Sequence, residues 1–313
     1  MKNQLENVYE NKLPEGLEQA DLFNAVKASG YPLQGLVAHQ LKEFFGITEE
    51  WGYIDRDTGD HRALDIFAYR RLKEFEHENM HPNLITLVEC KRSSMPYIFF
   101  RSVIERLVPN FPFVTGCRKI WLHDSRNHSR MEYITNCLGL PELPFVASGP
   151  AICATFSKVH RKGKELELSG IDPFNKVVLP LVKSLDYALE YYAIKNETAL
   201  FPALILCVCV LDAPMVLVEG PDKMNELSLE PWVRIVRQEN PKNLADSKQP
   251  KWYVVDFVHI SFLEDFLVNH LLPFAESFGE RIIKQENILR NGGIVNHLND
   301  WNWNEIQVRT TKK

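Results

Sequence analysis

The chain has 313 residues, 45% of them hydrophobic and 25% charged, with a formal net charge of −5. That length accommodates one large α/β domain or two smaller ones, and the mixture is that of a globular chain rather than a disordered or fibrous one. The acidic balance argues against a general, charge-driven nucleic-acid binder, although a local basic groove would suffice for a nuclease.

No uninterrupted apolar run reaches the roughly 18 residues of a membrane span, and Met1-Lys2-Asn3-Gln4-Leu5-Glu6 lacks a signal peptide's apolar centre. A cytoplasmic protein without a membrane partner is expected. The six cysteines show no metal-type spacing. Cys207 and Cys209 lie in an apolar run, where buried reduced thiols are expected.

Residues 1–17 read as a polar arm. A helix over 18–28 stops at Ser29-Gly30. A second helix over 32–45 has Pro32 in its first turn and an apolar stripe of Leu33, Val37, Leu41, Phe44 and Phe45. Gln34 borders that stripe, where its side chain can reach a sheet below. An extended stretch at Trp51-Gly52-Tyr53-Ile54-Asp55 and a turn at Asp57-Thr58-Gly59-Asp60 follow.

Two strands come next, over 63–68 and 84–90. Side chains alternate along a strand, so Ala63, Asp65 and Phe67 share a face, as do Ile85, Leu87, Glu89 and Lys91. Charged side chains seldom sit in such apolar strands unless they are paired or hold a metal. If the strands pair, Asp65 and Glu89 can converge on one cation. Mg²⁺ suits two carboxylates with water and phosphate oxygens, and Lys91 is a compact charge for an attacking water or developing negative charge. The competing reading is a structural Glu89–Lys91 ion pair with Asp65 as an unrelated edge residue.

Over 22–100 this pattern resembles the PD-(D/E)XK nuclease superfamily, the restriction-endonuclease-like fold. Asp65 matches its first acid and Glu89-Cys90-Lys91 its acid-any-lysine element, after a helix and a hairpin in the expected order. The naming proline is absent, since Ala63-Leu64 precede Asp65. Gln34 stands where many members carry a glutamate, with Glu43, Glu49 and Glu50 further on as stand-ins or solvated residues. The resemblance implies an α/β fold, a central mixed sheet flanked by helices, with a restriction-endonuclease-like core and an insertion at about 102–170. It also implies Mg²⁺, or Mn²⁺, held by Asp65, Glu89 and the Cys90 backbone carbonyl, with Lys91 beside the water and Gln34 in support. DNA is the implied substrate, and a homodimer would serve double-strand cutting. An inactive nuclease-like binding or assembly module is the alternative, favoured by Gln34 and the acidic charge. A Mg²⁺-dependent enzyme on another phosphate ester is a weaker third reading. No P-loop is present, so an ATP motor is not indicated.

The insertion reads as short pieces rich in prolines and aromatics. Its polar cluster His123-Asp124-Ser125-Arg126-Asn127-His128 reads as a surface loop. Asp172-Pro173 read as the N-cap and first turn of a helix with a stripe of Val178, Leu181, Val182, Leu185, Leu189 and Tyr192. Lys176 and Lys183 on it could approach phosphate. So could Arg70-Arg71 with Lys73, Arg118-Lys119, and His160-Arg161-Lys162 with Lys164, although solvated surface is the default for each. Strands follow over 203–211, 215–218, 232–236 and 252–258, with an exposed loop over 237–250. A last helical region over about 261–289 should be kinked or interrupted by Pro273. The domain boundaries expected are an arm at 1–17, the α/β domain at 18–275 and a helical extension and tail at 276–313.

Overall fold

The structure is a computed structural model that describes residues 13–102, 108–118, 120–123, 129–194, 199–220, 226–239, 251–291, 293–296 and 308–309. Most of the polar arm, most of the His123–His128 cluster and most of the 237–250 loop fall outside these residues. The fold is α/β, a large mixed sheet flanked by helices.

Helices α1 (Gln19–Ala28) and α2 (Tyr31–Leu41) come first, followed by an antiparallel meander of β1 (Gly46–Ile54), β2 (His61–Arg71) and β3 (Asn83–Arg92). The second helix ends at Leu41, four residues short of the expected stop. Phe44 and Phe45 form a closing turn instead and still pack on the apolar core. Then come β4 (Tyr97–Arg101), β5 (Phe113–Thr115), β6 (Ile120–His123), β7 (Ser129–Glu132), β8 (Ala151–Lys162) and β9 (Glu165–Ser169). Helix α3 (Leu179–Tyr191) leads to β10 (Ala203–Asp212), β11 (Met215–Val218), β12 (Leu227–Leu229), β13 (Trp232–Glu239) and β14 (Lys251–His259), and α4 (Leu272–Lys284) follows. The main sheet runs β1-β2-β3-β10-β14-β13-β8-β4-β11-β12, with β5 paired to β10 and β9 to β8.

β3 and β10 lie side by side in parallel, from Ala203 opposite Asn83 to Asp212 opposite Arg92. Both read as near-continuous apolar runs because interior parallel strands are covered on both faces. Every residue from Ala203 to Leu211 is buried. Helix α3 leads into β10 and covers one face of the two strands: Tyr192 stacks on Phe67, and the Cys207 thiol donates to the Leu181 carbonyl. Between residues 102 and 170 the twelve-residue strand β8 runs inside the main sheet, whereas the sequence there suggested only short pieces. Its outer half, Ser157-Lys158-Val159-His160-Arg161-Lys162, is too polar to announce a strand by composition.

Two helices depart from expectation in the same way. The helix expected to start with Asp172 as N-cap begins at Ile171, with Gly170 in the cap position and Asp172 in the first turn, paired to Lys176 at 3.6 Å. It passes through a π-helical segment, Phe174–Val178, immediately before α3 and Pro180. The C-terminal helix repeats the device, with π-helical Phe266–Leu271 just ahead of Pro273. A proline lacks the N–H for the preceding turn and crowds its carbonyl, and a wider turn relieves both.

In the middle of the sheet, Arg234 and Asp256 face each other across β13 and β14 and are 2% and 1% exposed. Arg234 Nε and Nη2 donate to the two Asp256 oxygens at 2.8 and 3.1 Å, and Nη1 donates to the Phe145 carbonyl at 3.0 Å. Trp232 Nε1 donates to Asp256 at 2.9 Å, and Arg234 lies over the Phe111 and Phe145 rings.

Candidate functional site

The ladder between β2 and β3 runs from Arg71–Asn83 to Ile66–Val88 and then stops. By register Asp65 would face Glu89 next and Leu64 would then face Cys90, but the ladder does not extend to these pairs. In the gap the Asp65 carboxylate takes over: its Oδ2 accepts the Cys90 N–H at 2.7 Å. The N–H and C=O of one strand residue point to the same edge, so the Cys90 carbonyl opens toward this gap as well. Divergence of two strands thus places Asp65 beside the Glu-x-Lys segment.

Glu89 and Lys91, on one face of β3, complete the cluster. Lys91 Nζ hydrogen-bonds Glu89 Oε1 and lies 3.8 Å from Asp65 Oδ2. Both carboxylates therefore converge on one ammonium, as a shared cation site requires. Glu89 is buried, while the Asp65 and Lys91 side chains are 23% and 27% exposed, so one side of the cluster opens to solvent.

Gln34 on α2 is buried, and the group it turns to the site is its amide nitrogen. Nε2 donates to Glu50 Oε1 at 3.0 Å and to the Asp65 carbonyl at 3.1 Å. Glu50, on β1, supplies an additional acid. Its φ of 49° is unusual for a non-glycine residue in a strand and costs about 1–2 kcal/mol. Strain of this kind persists where surrounding contacts hold it, here the Gln34 amide. The sequence named Glu50 only as one of three stand-ins. The backbone kink and the Gln34 contact that single it out leave no signature in composition.

Burial is the main influence on the charges. It raises the Asp65 carboxyl, with Lys91 and the Cys90 N–H opposing and Glu50 adding to the rise. It pushes Glu89 up from 4.5 to about 7, because losing water outweighs the attraction of Lys91 and the Asp65 charge adds to the effect. Burial pulls Lys91 down, but Glu89 and Asp65 more than compensate and hold its ammonium above the usual range. The buried Cys90 thiol is raised well above normal by burial and its acidic neighbours, so it is no thiolate ligand.

Several of the other predicted cations are engaged elsewhere. Lys183 pairs with Asp57, Arg71 with Glu76, Arg70 with the Phe44 carbonyl and Lys162 with Glu167. The structure also brings together His77, Glu78 and Glu286, whose ligand atoms lie within 4.8 Å of one another. This cluster is largely exposed, and Glu286 is already held by His77 and Arg290. Residues some 209 positions apart could not be linked from sequence. Among the described residues, no helix is long and apolar enough to cross a membrane.

Neither protein-family models, nor curated proteins, nor solved structures give a significant match to this chain.

Proposed function

We propose that the chain is a Mg²⁺-dependent nuclease that hydrolyses phosphodiester bonds of DNA. The observation that carries this reading is the convergence of Asp65 and Glu89 on Lys91 at the gap between β2 and β3. The element order supports it once β4 to β9 are taken as an insertion: a helix, a meander carrying Asp65 and then Glu89-Cys90-Lys91, and, after those six strands, a helix and a strand parallel to β3. That order resembles a restriction-endonuclease-like core.

The donor set fits a hard divalent cation. Asp65, Glu89 and the Cys90 carbonyl offer only oxygen, with Glu50 close enough to influence Asp65. When bound, Mg²⁺, or Mn²⁺ in its place, would polarise the scissile phosphate and acidify a water. Glu89 would hold the ion in its carboxylate form. Lys91, now neutralising both carboxylates, is freed to orient water or to offset charge developing on the phosphate. Gln34 holds Glu50 and the Asp65 backbone in place. Cutting both strands of a duplex would take two copies.

The direct test is incubation with supercoiled plasmid and with single-stranded DNA at pH 8. Cleavage is expected with Mg²⁺ or Mn²⁺ and not with EDTA, and intact DNA with both metals would refute the reading. The charge balance adds a pH signature. Below about pH 7 Glu89 carries a proton that the metal must displace, so apparent Mg²⁺ affinity should fall up to about tenfold per pH unit there and level off above. The folded-state value exceeds the free value of 4.5, so the metal-free protein holds this proton more tightly when folded. Its contribution to stability is complete below about pH 4.5 and is lost as pH rises through 7. Mg²⁺ should accordingly raise the melting temperature more at pH 8 than at pH 5.5. Equal shifts would contradict the assignment of Glu89. Gln34→Glu, which adds a carboxylate beside Glu50, should alter the Mg²⁺ concentration for half-maximal cleavage by about tenfold. An unchanged requirement would place residue 34 outside the metal's reach.

A further inference from the structure

The sheet curls back over the face that carries Glu89 and Lys91. In register, Glu89 lies beside Cys209 and Cys209 beside Phe257, so the three side chains leave one face. Phe99 of β4 and Phe156 of β8 are opposite each other, and both pack on Phe257 with ring centres 5.2 and 5.1 Å away. That contact is two strands, about 10 Å, from Glu89. One step along the same ladder Tyr97 faces Lys158. Alternation puts both on the side of Phe99 and Phe156, which is turned to the face of the acidic cluster.

Tyr97 joins the two regions. It follows Lys91 by six residues, and its backbone N–H donates to the Pro214 carbonyl at 2.9 Å, just past the end of β10. The side chain is buried. Burial, with the Cys209 thiol, pushes its hydroxyl up to about 12, and the Lys91 ammonium pulls the other way, so the hydroxyl lies in the field of the cluster. Lys158 Nζ sits over the Tyr97 ring, 5.7 Å from its centre, in a cation–π contact.

Lys158 is half-buried, yet among the described residues it has no ion pair. Arg92, Arg101 and Lys183, by contrast, are matched to Asp212, Glu219 and Asp57. Taking an ammonium partly out of water is costly unless an anion compensates it. The ring holds the charge in place without neutralising it, and a phosphate would supply what is missing. Further out on the same side of β8, His160 and Lys162 face Glu167 and Glu165 across the ladder, and Lys162 pairs with Glu167 at 2.9 Å. Arg161 leaves the opposite side. The uncompensated charge on this side is therefore confined to Lys158, at the end of the hairpin nearest the cluster.

We infer that Lys158 binds a DNA backbone phosphate flanking the scissile one and so fixes the strand across Asp65, Glu89 and Lys91. The inference rests on the nuclease reading and adds to it a contact that carries no base information, since lysine meets phosphate as a point charge.

The test uses the full chain and the DNA form, duplex or single strand, that it binds more tightly. Fluorescence anisotropy in EDTA reads binding without cleavage, and initial rates with Mg²⁺ read kcat and KM. At about 0.1 M salt, Lys158→Ala should weaken binding and raise KM about tenfold, with kcat kept within about twofold. It should also lower the slope of log affinity against log salt by about 1. Lys158→Arg should restore these values, and Arg161→Ala should leave them at the parent's. A role confined to packing on Tyr97 would shift the melting temperature and spare the salt slope. An unchanged slope in Lys158→Ala, or an equal loss in Arg161→Ala, overturns the inference. Binding that depends on Lys158 without any cleavage upholds this contact and sinks the catalysis. Cleavage with a KM indifferent to residue 158 does the reverse, and absence of both binding and cleavage sinks both.

Discussion

Asp65→Asn and Lys91→Ala should each reduce Mg²⁺-dependent cleavage by at least about 10²–10³-fold while the protein remains folded. Asparagine keeps an oxygen to accept the Cys90 N–H, so the gap between β2 and β3 stays closed by the same contact at 2.7 Å. What is lost is the negative charge that would hold the cation. Lys91→Ala leaves Glu89 and Asp65 facing each other without an ammonium, which pushes the Glu89 carboxyl above about 7 and weakens metal binding at neutral pH. It also removes the charge available to the transition state. Lys176→Ala, whose partner Asp172 lies in an exposed helical turn, is the matched control and should cleave normally. Circular dichroism and thermal melting establish that each variant is folded. If both variants cut as fast as the parent, Asp65 and Lys91 have no part in catalysis.

The largest expected effect on stability is in the middle of the sheet, between β13 and β14. Asp256→Ala removes both acceptors of the Arg234 guanidinium and the partner of Trp232 Nε1. An unpaired charge is then left at a site 2% exposed. Breaking a buried pair in this way costs about 3–5 kcal/mol, which corresponds to a fall in melting temperature of roughly 10 °C for a chain of this size. Replacing both partners, Arg234→Met with Asp256→Leu, should recover most of the loss, because an apolar pair carries no desolvation cost. Thermal and urea unfolding of the two variants make the comparison. A single variant as stable as the parent would mean that water or another group already compensates Arg234.

How much of the site was legible follows from what is local and what is not. Alternation along a strand is a property of consecutive residues, so the common face of Glu89 and Lys91 and the apolar character of β3 could be read directly. The same holds for the stripes of α2 and α3, which follow from helical periodicity. Pro273 was visible as a disturbance, but whether a helix breaks or widens at a proline depends on what packs around it. The polar outer half of β8 hid a strand because pairing with β4 and β9, rather than its own composition, stabilises it.

The sequence by itself determined an α/β pattern with an acid on one apolar strand and Glu-x-Lys on the next, because side-chain period and burial preference act over neighbouring residues. Only the tertiary structure decided that the β2–β3 ladder stops at Ile66–Val88, that Asp65 fills the gap before Cys90 and that Gln34 and Glu50 join it. It alone aligned Glu89, Cys209 and Phe257 across three strands and set Arg234 against Asp256. These are pairings between residues tens to hundreds of positions apart. Their register is chosen by the collective burial of whole strands, and no single segment carries that information.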